Sequence, residues 1–377
     1  MNHGPTFSFT FLILAVTLVG FLNGCCIGLL FRQKRWYLWG LGGAVLLFAS
    51  EEAYSWYRLA YIDAGRIGTG LGYGSCAVII AAIAALIPLA ALTALSFSRR
   101  CYRGARRAGL FWLCAAVIAG LYGVSFGNAP EEVHKVQVTV PGLPAAFEGY
   151  RIAQISDTHI GPYYSCDDLD AALGEASVAG ASLTVITGDL IDDMRQMPDA
   201  ARILKSRKRD FRDGVLYIWG NHEYYCGRDA VRQGLDAAGI PLLENAHTAI
   251  SHDGSALYVA GVDYPWARGE EAAAERKSMA DEAFAGIPAG AVTVFLAHHS
   301  DFIDEGRDHG AALTLTGHTH GMQFGIADRP VFTRFKYTRG MYGGEGQLGY
   351  VSRGDGGWFP FRLGCRRELV IFELHGR

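Results

Sequence analysis

The sequence predicts an all-α membrane-spanning region followed by an α/β layered domain, on three observations. Half of the 377 residues are hydrophobic and only 19% are charged, and mean hydropathy is +0.14, too apolar for an ordinary soluble enzyme. The charge is also divided. Residues 1–130 hold ten Lys/Arg and three Asp/Glu, a net of +7, while the remaining 24 basic and 34 acidic residues give −10. Beyond Pro130, short runs rich in Val, Ile, Leu and Tyr alternate with helical patterns. A basic, apolar front joined to an acidic, mixed back suits a membrane anchor carrying a water-exposed domain. The same numbers exclude a disordered chain, and 48 glycines with 12 prolines in no triplet repeat exclude a fibrous one. The acidic back has no basic stripe, so nucleic acid is not an expected partner.

The front, 1–130, contains four apolar segments, at 7–31, 36–57, 70–97 and 108–126. A helix needs about 20 apolar residues to cross about 30 Å of hydrocarbon. The first and third meet this easily and the fourth is adequate. The second is interrupted by Glu51 and Glu52, and its clean run from residue 36 to 50 rises only about 21 Å. No Lys or Arg precedes the first segment and no small-residue cleavage site follows it, so it reads as a retained span. Basic residues stay cytoplasmic. With Arg32, Lys34 and Arg35 after the first segment and Arg99, Arg100, Arg103, Arg106 and Arg107 after the third, four spans put the second domain on the periplasmic or extracellular side of the cell membrane. That result depends on the second segment crossing. Glu51 and Glu52 read as interfacial, with Tyr54, Trp56 and Tyr57 as an aromatic belt. The eight cysteines form no CxxC pair, so neither a disulfide framework nor a zinc ribbon is expected.

The back, 131–377, gives strands at 134–140, 150–155, 182–187, 215–219, 256–262, 291–296, 312–316 and 368–374. Helices are expected at 167–179, 197–206 and 229–238. The chemistry lies where the strands end. The second strand runs into Ser156-Asp157-Thr158-His159 and the third into Gly188-Asp189-Leu190-Ile191-Asp192. The fourth runs into Gly220-Asn221-His222-Glu223. Two more run into Ala297-His298-His299-Ser300 and Gly317-His318-Thr319-His320. Parallel strands bring their carboxyl ends to one edge, where α/β sites form. Imidazole with carboxylate selects Mn, Fe, Zn or similar divalent ions without thiolate. A bridging carboxylate can hold two such ions close enough to clamp phosphoryl oxygens. Glycines before Asp189, Asn221 and His318 permit the tight turns this needs.

This ordered set of five motifs resembles the calcineurin-like metallophosphoesterase superfamily over nearly all of residues 134–377. Phe147-Glu148-Gly149-Tyr150-Arg151-Ile152, Gly321-Met322-Gln323, Tyr350-Val351-Ser352-Arg353-Gly354 and Arg362-Leu363-Gly364-Cys365 are similar to membrane-associated bacterial phosphodiesterases of the YkuE/YaeI type. The resemblance implies a four-layer fold, a β-sandwich flanked by helices. It implies that Asp157, His159 and His320 bind one metal, that Asn221, His298 and His318 bind a second, and that Asp189 bridges both. It further implies His222 as general acid with Glu223 beside it to orient it, and in-line attack on phosphorus by a metal-bridging hydroxide. The implied reaction is hydrolysis of a phosphodiester or pyrophosphate bond, with a lipid-linked substrate suggested by location alone. No protein partner can be inferred. Ser300 stands where the pattern usually has Pro, and Met322 where it usually has a second Gly. Two alternatives stay open: a cytosol-facing pyrophosphatase acting on a lipid A precursor (UDP-diacylglucosamine), and a non-catalytic membrane sensor with a structural metal site.

Other residues take plainer readings. Asp192 and Asp193 read as a solvated turn or helix start. His247, His252 and His309 read as surface residues, and Cys226 as a small packed residue. His299 competes with His298 as a ligand. Tyr163 and Tyr164 are candidates for flanking the substrate, though loop tyrosines are common.

Overall fold

The computed structural model describes residues 5–129, 133–326, 329–344 and 346–377. The expected boundary at Pro130 falls outside them. Two compact units result, residues 1–128 with 360–363, and 129–359 with 364–377.

The first unit is four helices: α1 (Pro5–Leu30), α2 (Trp36–Ala60), α3 (Gly65–Ser96) and α4 (Tyr102–Val124). Glycine lets α1 and α2 touch backbone to backbone. A Cβ on Gly20 would lie 2.3 Å from Gly43 O, and one on Gly43 would lie 2.1 Å from Gly20 O. Small residues permit the same approach between membrane helices generally. Leu30, Ala81, Ala85, Leu89, Ala105 and Ala116 form the interior, while Leu18, Val45, Ile67, Ile87, Phe111 and Ile118 face outward. Apolar side chains on the outside are what a lipid solvent allows. Among the described residues, Ile13–Leu30, Gly65–Ser96 and Tyr102–Val124 are long and apolar enough to cross a membrane. The structure separates the acidic pair. Glu52 is exposed, whereas Glu51 is buried and accepts from Ser55 Oγ at 3.0 Å. Tyr57 packs inward against Gly72 instead of joining an exposed belt with Trp56.

The second unit begins with β1 (His134–Val140), β2 (Tyr150–Ile155), α5 (Cys166–Val178), β3 (Leu183–Ile186), α6 (Met197–Arg207) and β4 (Val215–Tyr217). It continues through α7 (His222–Cys226), α8 (Arg228–Ala238), β5 (Ala246–His252), β6 (Ser255–Gly261), α9 (Glu271–Phe284), β7 (Thr293–Leu296), α10 (Phe302–Asp308) and β8 (Leu313–Thr316). A short hairpin follows, β9 (Gly325–Ile326) and β10 (Arg329–Pro330), then β11 (Gly340–Gly344), β12 (Gln347–Val351) and β13 (Val370–Gly376). One sheet has the order β1-β13-β2-β3-β4 and the other β11-β12-β8-β7-β6-β5.

Alternation along the strands explains the layering. On β2, Ile152 points to a core shared with Val185, Leu257, Val294 and Leu315 of both sheets. Its neighbours Ala153 and Ile155 point the other way, onto Leu169, Leu173, Leu204 and Leu235 of α5, α6 and α8. The outer face of the second sheet is covered likewise, Phe295 and Ala297 packing with Ala280 and Ala283 of α9 and with Phe302 of α10. The domain is therefore a β-sandwich flanked by helices, a mixed α/β fold of four layers. Helix α5 is fixed at its start by a capping box between Ser165 and Asp168.

Register then positions the site. Strands β2, β3 and β4 are parallel, with Ile155 beside Ile186 and Ile186 beside Tyr217. In the second sheet β6, β7 and β8 are parallel, with Gly261 beside Leu296 and Leu296 beside Leu315. Gln154 bridges the sheets, its Nε2 donating to Thr187 Oγ1 and Thr316 O, both at 3.0 Å. The carboxyl ends of both parallel sets thus meet.

Candidate metal centre

Side chains from all five strand ends converge there. His159 and His320 face each other with their Nε2 atoms 3.1 Å apart, and His320 Nε2 is 3.5 Å from Asp157 Oδ1. His298 Nε2 lies 3.2 Å from Asp189 Oδ2 and 3.3 Å from His318 Nδ1. Asp189 Oδ2 is also 3.5 Å from His159 Nε2, so one carboxylate oxygen stands between the two groups. Asp157–His159–His320, Asp189–His298–His318 and His159–Asp189–His222 each offer ligand atoms within 4.8 Å of one another. Asn221 sits between Gly220, whose amide is held by Glu223, and His222, whose amide donates to Asp189 Oδ1 at 2.9 Å.

The local backbone is bent to achieve this. Asp157, His159, Asp189, His318 and His320 all take positive φ, between 48° and 70°. Non-glycine residues adopt that region at a cost, and surrounding structure must hold them there. Gly188 supplies its turn with φ of 87°, as the sequence suggested. Gly220 and Gly317 act through space instead. A Cβ on Gly220 would lie 2.1 Å from Asp189 Oδ1, and one on Gly317 2.4 Å from Asp157 Oδ2.

The pocket packs carboxylates against imidazoles away from solvent. Asp157 and Asp189 are buried side by side. Burial works against the Asp189 carboxylate, but His298, His159 and His222 outweigh it and hold its pKa well below the usual range. Burial would lower His159 and His298, yet Asp192, Asp189 and Asp157 raise them to about 9 and about 10. The donor set can hold cations: among the described residues Asn221 Oδ1 is buried without a hydrogen-bond partner, and the Nε2 atoms of His159 and His320 converge to 3.1 Å. Oxygen and imidazole donors of this kind fit divalent transition ions.

Two neighbours differ from the sequence reading. Asp192 is no solvated turn: its Oδ1 is shared between His159 Nδ1 at 3.0 Å and His222 Nδ1 at 2.7 Å. Asp193 alone begins a helical turn, accepting from Arg195 N. Glu223 does not orient His222. Its carboxylate accepts from the amides of Asp189, Leu190 and Gly220 and from Tyr217 Oη, at 2.7–3.1 Å. It ties the Asp189 turn to the Asn221 turn. Glu223→Ala would strand four buried donors, and a loss of about 3–5 kcal/mol is expected. Chemical denaturation read by circular dichroism checks this.

The remaining candidates fall outside the centre. His299 lies beside the centre, its ring centroid 5.1 Å from that of His318 with Phe335 and Tyr264 farther off, and burial lowers its pKa to about 4. Tyr164 is buried and donates to Asp355. His252 is buried, not on the surface, and is held by Arg212 and Asp213. Half-buried His247 and His309 bond to Ala283 O and Asp281. The Cys226 thiol is pushed up to about 12, burial first and Asp192 next, which makes it a poor nucleophile. Sequence reasoning missed Tyr264, whose ring centroid is 5.5 Å from that of His318 and 5.9 Å from that of His298.

Residues 150–322 match the family model described as calcineurin-like phosphoesterase. An uncharacterized metallophosphoesterase of Bacillus subtilis, YkuE, is 29% identical over 71% of this chain and 95% of its own length. A zebrafish (Danio rerio) transmembrane protein with a metallophosphoesterase domain is 26% identical over 72% of this chain and 63% of its own. A solved dimetal phosphatase from zebrafish superimposes with a TM-score of 0.35 at 13% identity, covering 60% of this chain and 93% of that one.

Proposed function

We propose that this chain, which carries a calcineurin-like metallophosphoesterase domain and is a metal-dependent phosphoesterase, hydrolyses phosphodiester or pyrophosphate bonds at a two-metal centre. Asp157, His159 and His320 would hold one ion, and Asn221, His298 and His318 the other, with Asp189 between them. The observation that carries this is the shared Oδ1 of Asp192. It fixes a metal-site imidazole and His222 from one oxygen, so His222 is aimed by the same carboxylate that orients the centre.

When bound, two divalent ions (Mn, Fe or Zn) supply Lewis acidity toward the phosphoryl oxygens and acidify water at neutral pH, for in-line attack on phosphorus. The chain's own residues do the rest. Asp192 accepts from His222 Nδ1, and the proton for the leaving oxygen is then carried on Nε2. Glu223 keeps the Asp189 and Asn221 turns in register. The His222 side chain, 24% exposed beside buried ligands, meets substrate from the solvent side.

Treating the detergent-solubilised chain with a chelator should abolish Mn-dependent hydrolysis of bis-p-nitrophenyl phosphate, and Mn should restore it. Hydrolysis that survives metal removal overturns the reading. For sidedness, we infer that the catalytic domain faces the periplasm or exterior if α2 crosses. Because α2 carries Glu51, Glu52 and Arg58, a reporter fused after Arg377 is the direct test. A cytoplasmic signal would favour the nucleotide-linked pyrophosphatase instead.

A further inference from the structure

Between Phe324 and Phe335 three large apolar side chains stand exposed close together in the sequence. Ile326 is 74% exposed, Val331 62% and Phe332 57%, on a hairpin of only two residues per strand. Single exposed apolar residues are ordinary, but several close together in one short segment mark an interaction surface. Gln323 Nε2 donates to Phe359 O at 3.1 Å, which adds half-exposed Trp358 at the base of the same element. Arg329 and Arg334 are exposed within it. Bulky apolar groups, a tryptophan and arginines on one edge are the composition of an interfacial membrane contact.

Two facts choose a bilayer over a protein. Only nine residues separate α4 from β1 along the sequence, so the unit follows directly on a helix apolar enough to cross a membrane. Residues 324–335 hold Arg329 and Arg334 against one acid, Asp328, a net of +1 in a domain that is −10 as a whole, and that sign complements anionic headgroups. The segment also leads into the site. Three residues past Phe332, Phe335 packs on His318 and His299 with ring centroids at 5.5 and 6.0 Å.

We propose that Ile326, Val331 and Phe332, flanked by Arg329 and Arg334, dock into the lipid–water interface of an anionic bilayer and so present the metal-site cleft to phosphate esters carried by lipids. The docking stands by itself; the substrate class rests on the phosphoesterase reading above.

The test uses the full chain in nanodiscs with brominated acyl chains, with and without phosphatidylglycerol. Against the parent chain, whose seven tryptophans set the baseline, Phe332→Trp should add emission that the brominated lipid quenches, more strongly with the anionic lipid. The emission added by Val178→Trp, at a site 91% exposed on α5, should escape quenching. Equal quenching at both sites, or none at 332, overturns the docking, and quenching indifferent to lipid charge overturns the role of the arginines. Ile326→Ser/Val331→Ser/Phe332→Ser should lower hydrolysis of a phospholipid with a p-nitrophenyl headgroup by about tenfold or more. Water-soluble bis-p-nitrophenyl phosphate should be cleaved within about twofold of the parent rate, since the metal centre is untouched. A parallel fall on both substrates, or none on the lipid one, overturns the substrate class. Loss of both activities in the parent chain would instead overturn the phosphoesterase reading while quenching still decides the docking.

Discussion

Asp189→Asn should lower phosphodiester hydrolysis by at least about a thousandfold and reduce the metal bound per chain. The substitution is conservative in shape. It keeps an acceptor for the His222 amide, now 2.9 Å from Asp189 Oδ1, so the turn should survive. What it removes is the negative charge between His159 and His298, whose Nε2 atoms lie 3.5 and 3.2 Å from Oδ2. No other carboxylate pairs with both nitrogens among the described residues: Asp157 Oδ1 lies 3.9 Å from His298 Nε2 and 3.5 Å from His320 Nε2. Elemental analysis beside a turnover assay, with circular dichroism to confirm the fold, gives the answer. A variant with full metal and near-normal turnover would remove Asp189 from the centre of the mechanism.

His222→Ala should leave metal content intact and lower kcat by about a hundredfold to ten-thousandfold, the range of general acid catalysis. The size should depend on the leaving group. p-Nitrophenolate departs without a proton, so its diester should lose little, whereas a diester that expels an alkoxide should lose most. KM should change far less than kcat in both cases. If both leaving groups suffer equally, His222 stabilises charge on phosphorus instead of donating a proton. If metal is lost, His222 is a ligand, a role its distance to His159 and Asp189 permits.

Much of this centre was legible because it is written locally. An apolar strand followed by Gly or Ser and then Asp, Asn or His is a pattern of six or seven adjacent residues, and five such patterns survive in order. The strands β2, β3, β4, β7 and β8 were found for the same reason. What local pattern cannot show is who meets whom across the sandwich. Asp192 looked like a turn residue because its two partners lie 33 and 30 positions away. Glu223 follows His222 directly, yet its side chain turns inward to amides of another loop. Gly220 and Gly317 looked like turn glycines, but they are small because neighbouring carboxylates occupy the space. Helix α9 was missed since its buried stripe is mostly alanine, Ala280 and Ala283. The two-residue strands β9 and β10 are too short to carry any period. In the helical unit, hydropathy found all four segments but not that Glu51 is buried while Glu52 is exposed.

The most direct test of the central claim is to count metal and turnover on one sample of the full chain, loaded in turn with Mn, Fe and Zn. Two divalent ions per chain are expected, with hydrolysis of bis-p-nitrophenyl phosphate rising only as the second ion binds. Two ions bound without turnover under all three metals would contradict the claim, and would leave a membrane protein whose metal centre serves structure or sensing instead of phosphate ester hydrolysis.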